Sequence, residues 1–248
     1  DAELMARSLA GVGFEVLTVF DGNASEMRTA ITEFGRQLKM PDTVALFYYA
    51  GHGVQADGEN YLVPLAAGIS DITEVALNSV ALGDVLKTMA RSESRMNIVI
   101  LDACRDNPFS ATTRALAQGG LAPVVAPSGT LIGYATAPGQ VARDGDGDNS
   151  PYSAALAANI SIAGLSLEEV FRNARRRVIE ATSGKQVPWE HSSLVGEFFF
   201  KPKMAAPLDP STGADVRLVE IEDWERIKLS KDPAHFKAYV EHYPNGLF

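Results

Sequence analysis

A histidine and a cysteine each follow an apolar stretch of strand length. His52 stands between two glycines after the apolar run 44–50, and Cys104 comes shortly after the apolar run 98–101. Polar residues at the carboxyl ends of buried strands lie where open α/β sheets bind their ligands. There an imidazole can take the proton of a thiol, and the thiolate can attack a carbonyl carbon. The pair therefore predicts nucleophilic catalysis through an acyl-enzyme.

Each of these residues also has a less specific interpretation. An isolated histidine is more often structural than catalytic, although the glycines around His52 favour close approach of a substrate. Cys104 is the only cysteine, which excludes disulfides, and it is either buried filler or a reactive thiol. Its place between Asp102 and Arg105, in a polar segment, favours the reactive thiol. The backbone N–H groups of Gly53 and Cys104 are the nearest donors for a developing oxyanion.

Asp102 predicts which side chain the site accepts. It lies two residues before Cys104, so both side chains are expected on the same face of the strand. A carboxylate beside the nucleophile favours a cationic residue, arginine or lysine, on the amino side of the cleaved bond, the P1 position. The alternative is that Asp102 caps local backbone N–H groups.

The densest acidic run is Asp-Gly-Asp-Gly-Asp-Asn at 144–149. It begins like an EF-hand loop, but Ala155 stands where such a loop needs glutamate, so an EF-hand is excluded. Two interpretations remain: a flexible polar turn, or a loop that lines the substrate cleft or binds Ca²⁺. In the second, Asp144 or Asp148 is the second carboxylate of the S1 pocket, which holds the P1 residue. No ligand set for a structural metal is predicted.

Composition narrows the possible functions. The chain has 248 residues, 46% of them hydrophobic, which suits one large domain with or without an appendage and excludes a wholly disordered chain. It carries 31 acidic and 22 basic residues, a net charge of −9, which argues against nucleic acid as the main partner. An acidic surface suits cationic ligands better. No apolar run approaches the roughly 20 residues that a membrane-spanning helix needs.

Apolar runs alternate with segments of helical periodicity, which predicts an α/β fold with a mostly parallel sheet covered on both faces. Strands are predicted at 14–19, 44–50, 61–63, 98–103, 130–135 and 195–200. Helices are predicted at 3–9, 24–38, 82–89, 153–159 and 167–181. Between 109 and 129 the pattern fails, and a loop of that length is usually functional or mobile.

The chain after residue 203 differs in composition from the rest. Residues 204–216 are a linker by their proline, glycine and serine content. Two short amphipathic helices are predicted beyond it, at 219–229 and 233–242, and helices this short cannot bury a core alone. We therefore predict a main domain over 1–203, the linker 204–216, and the start of a helical module over 217–248.

Several motifs occur together in the main domain. The two most specific are Tyr49-Ala50-Gly51-His52-Gly53-Val54-Gln55 with Asn60-Tyr61-Leu62-Val63-Pro64, and Leu101-Asp102-Ala103-Cys104-Arg105-Asp106-Asn107-Pro108-Phe109. Further motifs lie at 126–139, 150–152, 187–190 and 193–196. Together they cover roughly residues 1–200 and resemble bacterial caspase-like peptidases related to the metacaspases and orthocaspases. The histidine stands 52 residues before the cysteine, close to the roughly 50 of caspases.

The resemblance implies a caspase-like three-layer sandwich and endopeptidase activity through a His–Cys dyad. His52 matches the family's catalytic histidine, Cys104 matches its nucleophile, and Gly53 matches its oxyanion-hole glycine. Asp102 matches the aspartate with which metacaspase-like enzymes bind P1 arginine or lysine. The resemblance implies protein or peptide substrates and no required cofactor. Activation by Ca²⁺, which occurs through acidic loops in some metacaspases, is left open.

The sequence departs from the family's pattern at both ends. The family's domain opens with an apolar strand, whereas this sequence begins at Asp1, already in the first predicted helix. We expect that a central strand lies outside these residues or comes from another chain. Residues 223–246 are similar to helical segments attached to many bacterial caspase-like proteins, which predicts a protein partner for them. The cellular location is not predicted, because a signal peptide would precede Asp1.

Two other functions compete with that of a peptidase. A catalytically silent caspase-like scaffold would act by binding a protein through the C-terminal helices, but the presence of both dyad residues argues against it. A nucleotide-binding α/β domain would need a glycine-rich loop that opens a helix, and Gly11-Val12-Gly13 precedes a predicted strand instead. The sequence therefore favours a cysteine endopeptidase that cleaves after arginine or lysine.

Overall fold

Alternating strands and amphipathic helices build a central sheet in the computed structural model. It describes residues 1–39, 42–65, 67–69, 71–104, 121–122, 124–137, 142, 145, 147–203, 216–244 and 246–248. The strands are β1 (Val44–Ala56), β2 (Glu59–Val63), β3 (Val80–Ala81), β4 (Met96–Cys104), β5 (Thr130–Tyr134) and β6 (Trp189–Ser192). The helices are α1 (Ala2–Ala10), α2 (Ala24–Gln37), α3 (Ile72–Asn78), α4 (Leu82–Ala90), α5 (Pro151–Ile160), α6 (Leu167–Ala181), α7 (Val216–Ile227) and α8 (Pro233–His242).

The sheet has a parallel centre and antiparallel edges. Its six strands run in the order β3-β2-β1-β4-β5-β6. The strands β1, β4 and β5 are parallel to one another, whereas β2, β3 and β6 join in antiparallel fashion. The predicted α/β sandwich is confirmed, and the parallel arrangement is confined to the three central strands.

Helices cover both faces of the sheet, and β4 contributes side chains to both cores because its alternate residues point to opposite faces. Ile98 and Ile100 are fully buried in the core that also contains residues of α1, α5 and α6. Val99 and Leu101 are buried in a second core that contains residues of α4. The buried stripe of α6 is the predicted one: Leu167, Val170, Phe171, Ala174 and Val178.

The helices of the main domain begin and end within two residues of the predicted positions, apart from α3, which the sequence analysis missed. Asn23 caps α2: its side chain accepts from the N–H groups of Ser25 and Glu26, and Glu26 bonds back to the Asn23 N–H. Such a reciprocal cap satisfies backbone donors that a helix leaves without partners. The cap therefore explains why the helix α2 begins at Ala24.

Two predicted strands are wrong. Residues 14–19 form no strand, and residues 195–200 contribute only one isolated bridge, between Ser166 and Phe199. Apolar pattern alone does not make a strand, since a strand also needs a neighbour for its N–H and C=O groups. The edge position beside β5 is taken by β6 instead. Phe14, Phe198 and Phe200 pack their rings together, with centroids 5.1 to 6.4 Å apart.

A large apolar cavity lies beside the N-terminal half of β1. Its volume is about 1500 Å³, and both the segment 14–20 and the first half of β1 line it. The strand β2 pairs with β1 only from His52 onward. In the described part of the chain, therefore, no strand pairs with residues 44–48 on that side of β1. Leu17 and Phe20, which line this cavity, are 46% and 51% exposed. That a further strand completes this sheet stays a prediction.

The C-terminal helices α7 and α8 pack through aromatic side chains. The indole of Trp224 stacks on Phe248 at 5.0 Å and contacts Phe236 and Tyr239. Tyr239 is fully buried between the helices. The two helices were predicted, whereas the linker lies almost entirely outside the described residues and the domain boundaries remain predictions.

Candidate active site

The register of two parallel strands joins His52 and Cys104. In the pairing of β1 with β4, the Cα partners run from Val44 with Met96 to His52 with Cys104. Cys104 is the last residue of β4, and its thiol lies outside the described part of the structure. His52 is exposed. The two backbones thus meet where the parallel pairing of β1 with β4 ends. The predicted strand end at residue 50 is wrong, because β1 continues to Ala56 and His52 lies within it.

His52 marks the residue at which β1 changes its neighbour from β4 to β2. The Tyr49 hydroxyl lies 2.8 Å from the carbonyl oxygens of both His52 and Val63, which are partners in the β1–β2 pairing. Gly51 has a φ of 154°, and a Cβ atom there would lie 2.7 Å from the Tyr49 hydroxyl oxygen. Glycine at position 51 therefore leaves room for the tyrosine hydroxyl beside the backbone. This contact fixes the backbone that carries the imidazole.

Gly53 is buried, and its lack of a side chain has a packing reason. A Cβ atom at this position would lie 2.8 Å from Cδ2 of Leu121 and 3.2 Å from Cβ of Ala103. Leu121 is held there because the Asn60 amide bonds the backbone of Ala122 twice, at 2.7 and 2.8 Å. The backbone N–H of Gly53 remains a candidate oxyanion-hole donor, a role that does not itself require glycine. The loop residues 105–120 lie outside the described part.

Asp102 is 7% exposed and accepts hydrogen bonds from two serines of α5. The hydroxyls of Ser150 and Ser153 both donate to its Oδ2 atom. Ser150 is the N-cap of α5, and its Oγ also accepts from the Ser153 N–H at 3.0 Å. The Tyr48 hydroxyl lies 2.6 Å from Ser153 Oγ. A buried carboxylate of this kind is stabilised only when several donors replace the lost water.

Two tyrosines next to this carboxylate remain protonated. Burial raises the pKa of the Tyr48 hydroxyl far above its ordinary value, and the charge of Asp102 raises it further. The pKa of Tyr152 is raised for the same two reasons, burial first. Because both pKa values are raised, neither tyrosine adds a second negative charge beside Asp102. Tyr48 is thus a hydrogen-bond donor throughout the physiological pH range.

The other predicted acidic residues are not brought to this cluster by any described contact. Asp144 lies outside the described residues, and Asp148 is exposed. The structure instead joins Asp1 to it, since the Ser150 N–H donates to Asp1 Oδ1 at 2.7 Å. Sequence reasoning missed Asp1 and both serines because the bond from Ser150 to Asp1 spans 149 positions. The N-cap preference for serine at the start of α5 was the only local signal.

Neither a metal cluster nor a membrane helix is evident in the described part of the protein. There, no group of three His, Cys, Asp or Glu side chains could hold a metal ion. Among the same residues, no helix is long and apolar enough to cross a membrane. The role of Ca²⁺ therefore stays open.

Comparison with known proteins agrees with this geometry. A family model described as the caspase domain matches residues 1–199. The chain is 30% identical over 140 residues to human mucosa-associated lymphoid tissue lymphoma translocation protein 1, which is 56% of this chain and 16% of that protein. It is 29% identical over 140 residues to the mouse homolog, with the same two coverages. The chain thus spans less than a fifth of the length of these relatives.

Proposed function

Because the chain belongs to the caspase domain family, we propose that it is a cysteine endopeptidase that cleaves proteins or peptides after arginine or lysine. Cys104 is the nucleophile, His52 is the general acid and base, and Asp102 binds the P1 side chain. The narrower kinship with the metacaspases and orthocaspases of bacteria is part of the same proposal. The family assignment supports the peptidase class, and the residues of the site support the specificity.

The register between β1 and β4 carries the proposal. Nucleophilic catalysis by a thiol needs a base within hydrogen-bond reach of the sulfur. His52 and Cys104 are Cα partners on parallel strands at the edge where α/β folds do their chemistry. The Tyr49 hydroxyl bonds the His52 carbonyl oxygen, so the imidazole is presented from a fixed backbone. An exposed His52 is also open to a substrate.

In each half of the proposed reaction, His52 takes up one proton and then gives it to the leaving group. His52 takes the proton of the Cys104 thiol, and the thiolate attacks the carbonyl carbon before the scissile nitrogen. The negative oxygen that forms accepts from backbone N–H groups, of which Gly53 and Cys104 are the candidates. The protonated imidazole then gives its proton to the leaving amine. Water then loses a proton to His52 and attacks the acyl carbon, the bond from that carbon to sulfur breaks, and the imidazole returns the proton to the Cys104 sulfur.

Asp102 supports the preference for a basic P1 residue. Its carboxylate lies two positions before Cys104 on β4, and it is the Cα partner of Ala50, two before His52. A guanidinium or ammonium group suits a buried carboxylate, because charge-assisted hydrogen bonds are about twice as strong as neutral ones. The second carboxylate of the S1 pocket, Asp144 or Asp148, remains part of the proposal.

Hydrolysis of matched fluorogenic peptides tests the function. We expect the protein to cleave a peptide with P1 arginine and not its P1 aspartate counterpart. Cys104→Ala and His52→Ala should each abolish cleavage, while His191→Ala, an exposed histidine on β6, should not. Each assay is run with Ca²⁺ and with a chelator. Failure of the folded protein to cleave either peptide under both conditions would favour a silent scaffold that acts through its C-terminal helices.

A further inference from the structure

The hydrogen bonds around Asp102 have a fixed direction. Each serine hydroxyl has one proton, and both Ser150 and Ser153 give theirs to Asp102 Oδ2. The bond of 2.6 Å between Tyr48 and Ser153 must then be donated by the tyrosine. Ser150 Oγ accepts from the Ser153 N–H. The donors thus form two branches, one from Tyr48 through the Ser153 hydroxyl and one from the Ser153 N–H through Ser150, and both end at the same carboxylate oxygen.

The position of this network in the fold makes it rigid. Ser150 and Ser153 lie in the cap and first turn of α5, a helix of ten residues, and they are 4% and 0% exposed. The N-terminus of a helix favours a nearby negative charge. Tyr48 extends from β1, so the network ties α5 to both central strands that carry the dyad. A carboxylate held on this side cannot turn without breaking two charge-assisted bonds.

We propose that Ser150 and Ser153 are positioning residues that determine selectivity for a charged P1 side chain, by holding the Asp102 carboxylate in one orientation. Tyr48 contributes one bond further away, through Ser153. The inference rests on the proposed function of Asp102 and names the residues that make that function work. It predicts a graded loss of charge recognition along the hydrogen-bond network, with the dyad chemistry retained.

The test compares a peptide with P1 arginine and the same peptide with citrulline, its neutral isostere. The measured quantity is the ratio of the two kcat/KM values, which a general loss of folding or of dyad chemistry leaves unchanged. For Ser153→Ala we expect this ratio to fall by about tenfold or more, since a hydrogen bond to a charged group is lost. For Tyr48→Phe, which removes only one oxygen atom, we expect a smaller drop of about threefold.

Two further variants serve as matched controls. Ser161→Ala removes an exposed hydroxyl at the other end of α5 and should leave the ratio unchanged. Ser153→Thr keeps a hydroxyl and should restore most of the lost ratio. The rate of Cys104 alkylation by iodoacetamide in each variant reports whether the dyad is intact.

The outcomes separate this inference from the proposed function. Equal losses for arginine and citrulline peptides in Ser153→Ala and Tyr48→Phe, with the ratio unchanged, would overturn the positioning role. If the unsubstituted protein cleaves neither peptide, the proposed function fails instead. If it cleaves both equally well, Asp102 does not discriminate the charge of the P1 side chain. The inference then fails together with the assignment of Asp102 to the S1 pocket.

Discussion

The protein buries carboxylates in two regions, and hydroxyl groups satisfy them in both. In the main domain, Asp102 accepts from Ser150 and Ser153. Between the C-terminal helices, Glu220 and Asp223 are 5% and 3% exposed and accept from tyrosines. A buried, hydroxyl-bonded carboxylate is therefore not by itself a sign of function. The surroundings of each cluster make the difference.

The C-terminal cluster connects elements of structure to one another. Glu220 on α7 accepts from the Tyr239 hydroxyl at 2.8 Å and from the Leu247 N–H. Asp223 accepts from the Tyr243 hydroxyl at 2.7 Å. Each bond ties α7 to the chain that follows it, and the rings pack around them. The cluster in the main domain instead lies at a strand end, two positions from the paired His52 and Cys104. We infer that the C-terminal cluster stabilises the packing of the helices. Under the proposed function, the cluster around Asp102 instead recognises the P1 side chain.

The largest expected effect is that of neutralising Asp102. For Asp102→Asn we expect kcat/KM toward a P1 arginine peptide to fall about a hundredfold or more, because the charge that attracts the guanidinium is lost. The same change at the other cluster, Asp223→Asn, should leave this value within about twofold. Peptide hydrolysis measures both. Similar losses in the two variants would erase the distinction between the clusters.

A smaller effect is expected on stability when the C-terminal cluster loses a hydroxyl. Tyr239→Phe removes a donor to the buried Glu220 and should destabilise the packing of α7 on α8 by about 1–3 kcal/mol. Trp224 lies in this aromatic cluster, so its fluorescence during urea unfolding reports the change. Tyr61→Phe, on β2, is the matched control. An unchanged unfolding midpoint would show that the bond to Glu220 contributes nothing.

Alkaline pH should weaken the same helices without a mutation. Burial, followed by the hydrogen bond to Glu220, raises the pKa of Tyr239 to about 12 from its ordinary value of 10.0. The unfolded chain therefore loses the phenolic proton first, and stability that is complete below pH 10 is lost as the pH rises toward 12. Circular dichroism of the protein and of Tyr239→Phe over this range measures it. A variant that titrates like the parent would assign the loss to other groups.

The smallest expected effect is on the stability of α3 at acid pH. It comes from an exposed carboxylate, which serves as a reference for the two buried clusters. Asp71 caps α3 by accepting from the N–H and the hydroxyl of Thr73, and these bonds lower its pKa below 3.8. Its contribution is thus complete above pH 3.8 and is lost as the pH falls through the lowered value. Amide hydrogen exchange in α3 between pH 5 and pH 3 measures it, with Asp71→Asn as control. Equal acid sensitivity of both proteins would contradict this account.

Sequence patterns correctly predicted the features that neighbouring residues in the chain determine, such as the limits of the helices. The helix α6 begins and ends at the predicted residues because its capping box, formed by Ser166 and Glu169, and its apolar stripe are both local in sequence. His52, Cys104 and Asp102 were found because each lies at the carboxyl end of an apolar run, and the register brings their backbones together. Their catalytic roles remain predictions. No local pattern could have shown that serines 48 and 51 positions after Asp102 would hold its carboxylate.

The two wrong strands show the limit of the same reasoning. Residues 14–19 and 195–200 have the composition of strands, but whether a strand forms depends on a partner elsewhere in the chain. In this structure the edge beside β5 is taken by β6, and a cavity borders the first half of β1. The pattern identified apolar segments correctly and could not identify their neighbours.

The cavity of about 1500 Å³ also allows the free energy of unfolding to depend on which small molecules the solution contains. Any molecule that enters it binds the folded chain and not the unfolded one, and so raises the free energy of unfolding by mass action. At a concentration 100 times its dissociation constant, such a molecule adds about 2.7 kcal/mol. Melting temperatures of this chain are therefore comparable only at equal protein concentration and equal composition of the buffer, detergents and peptides included.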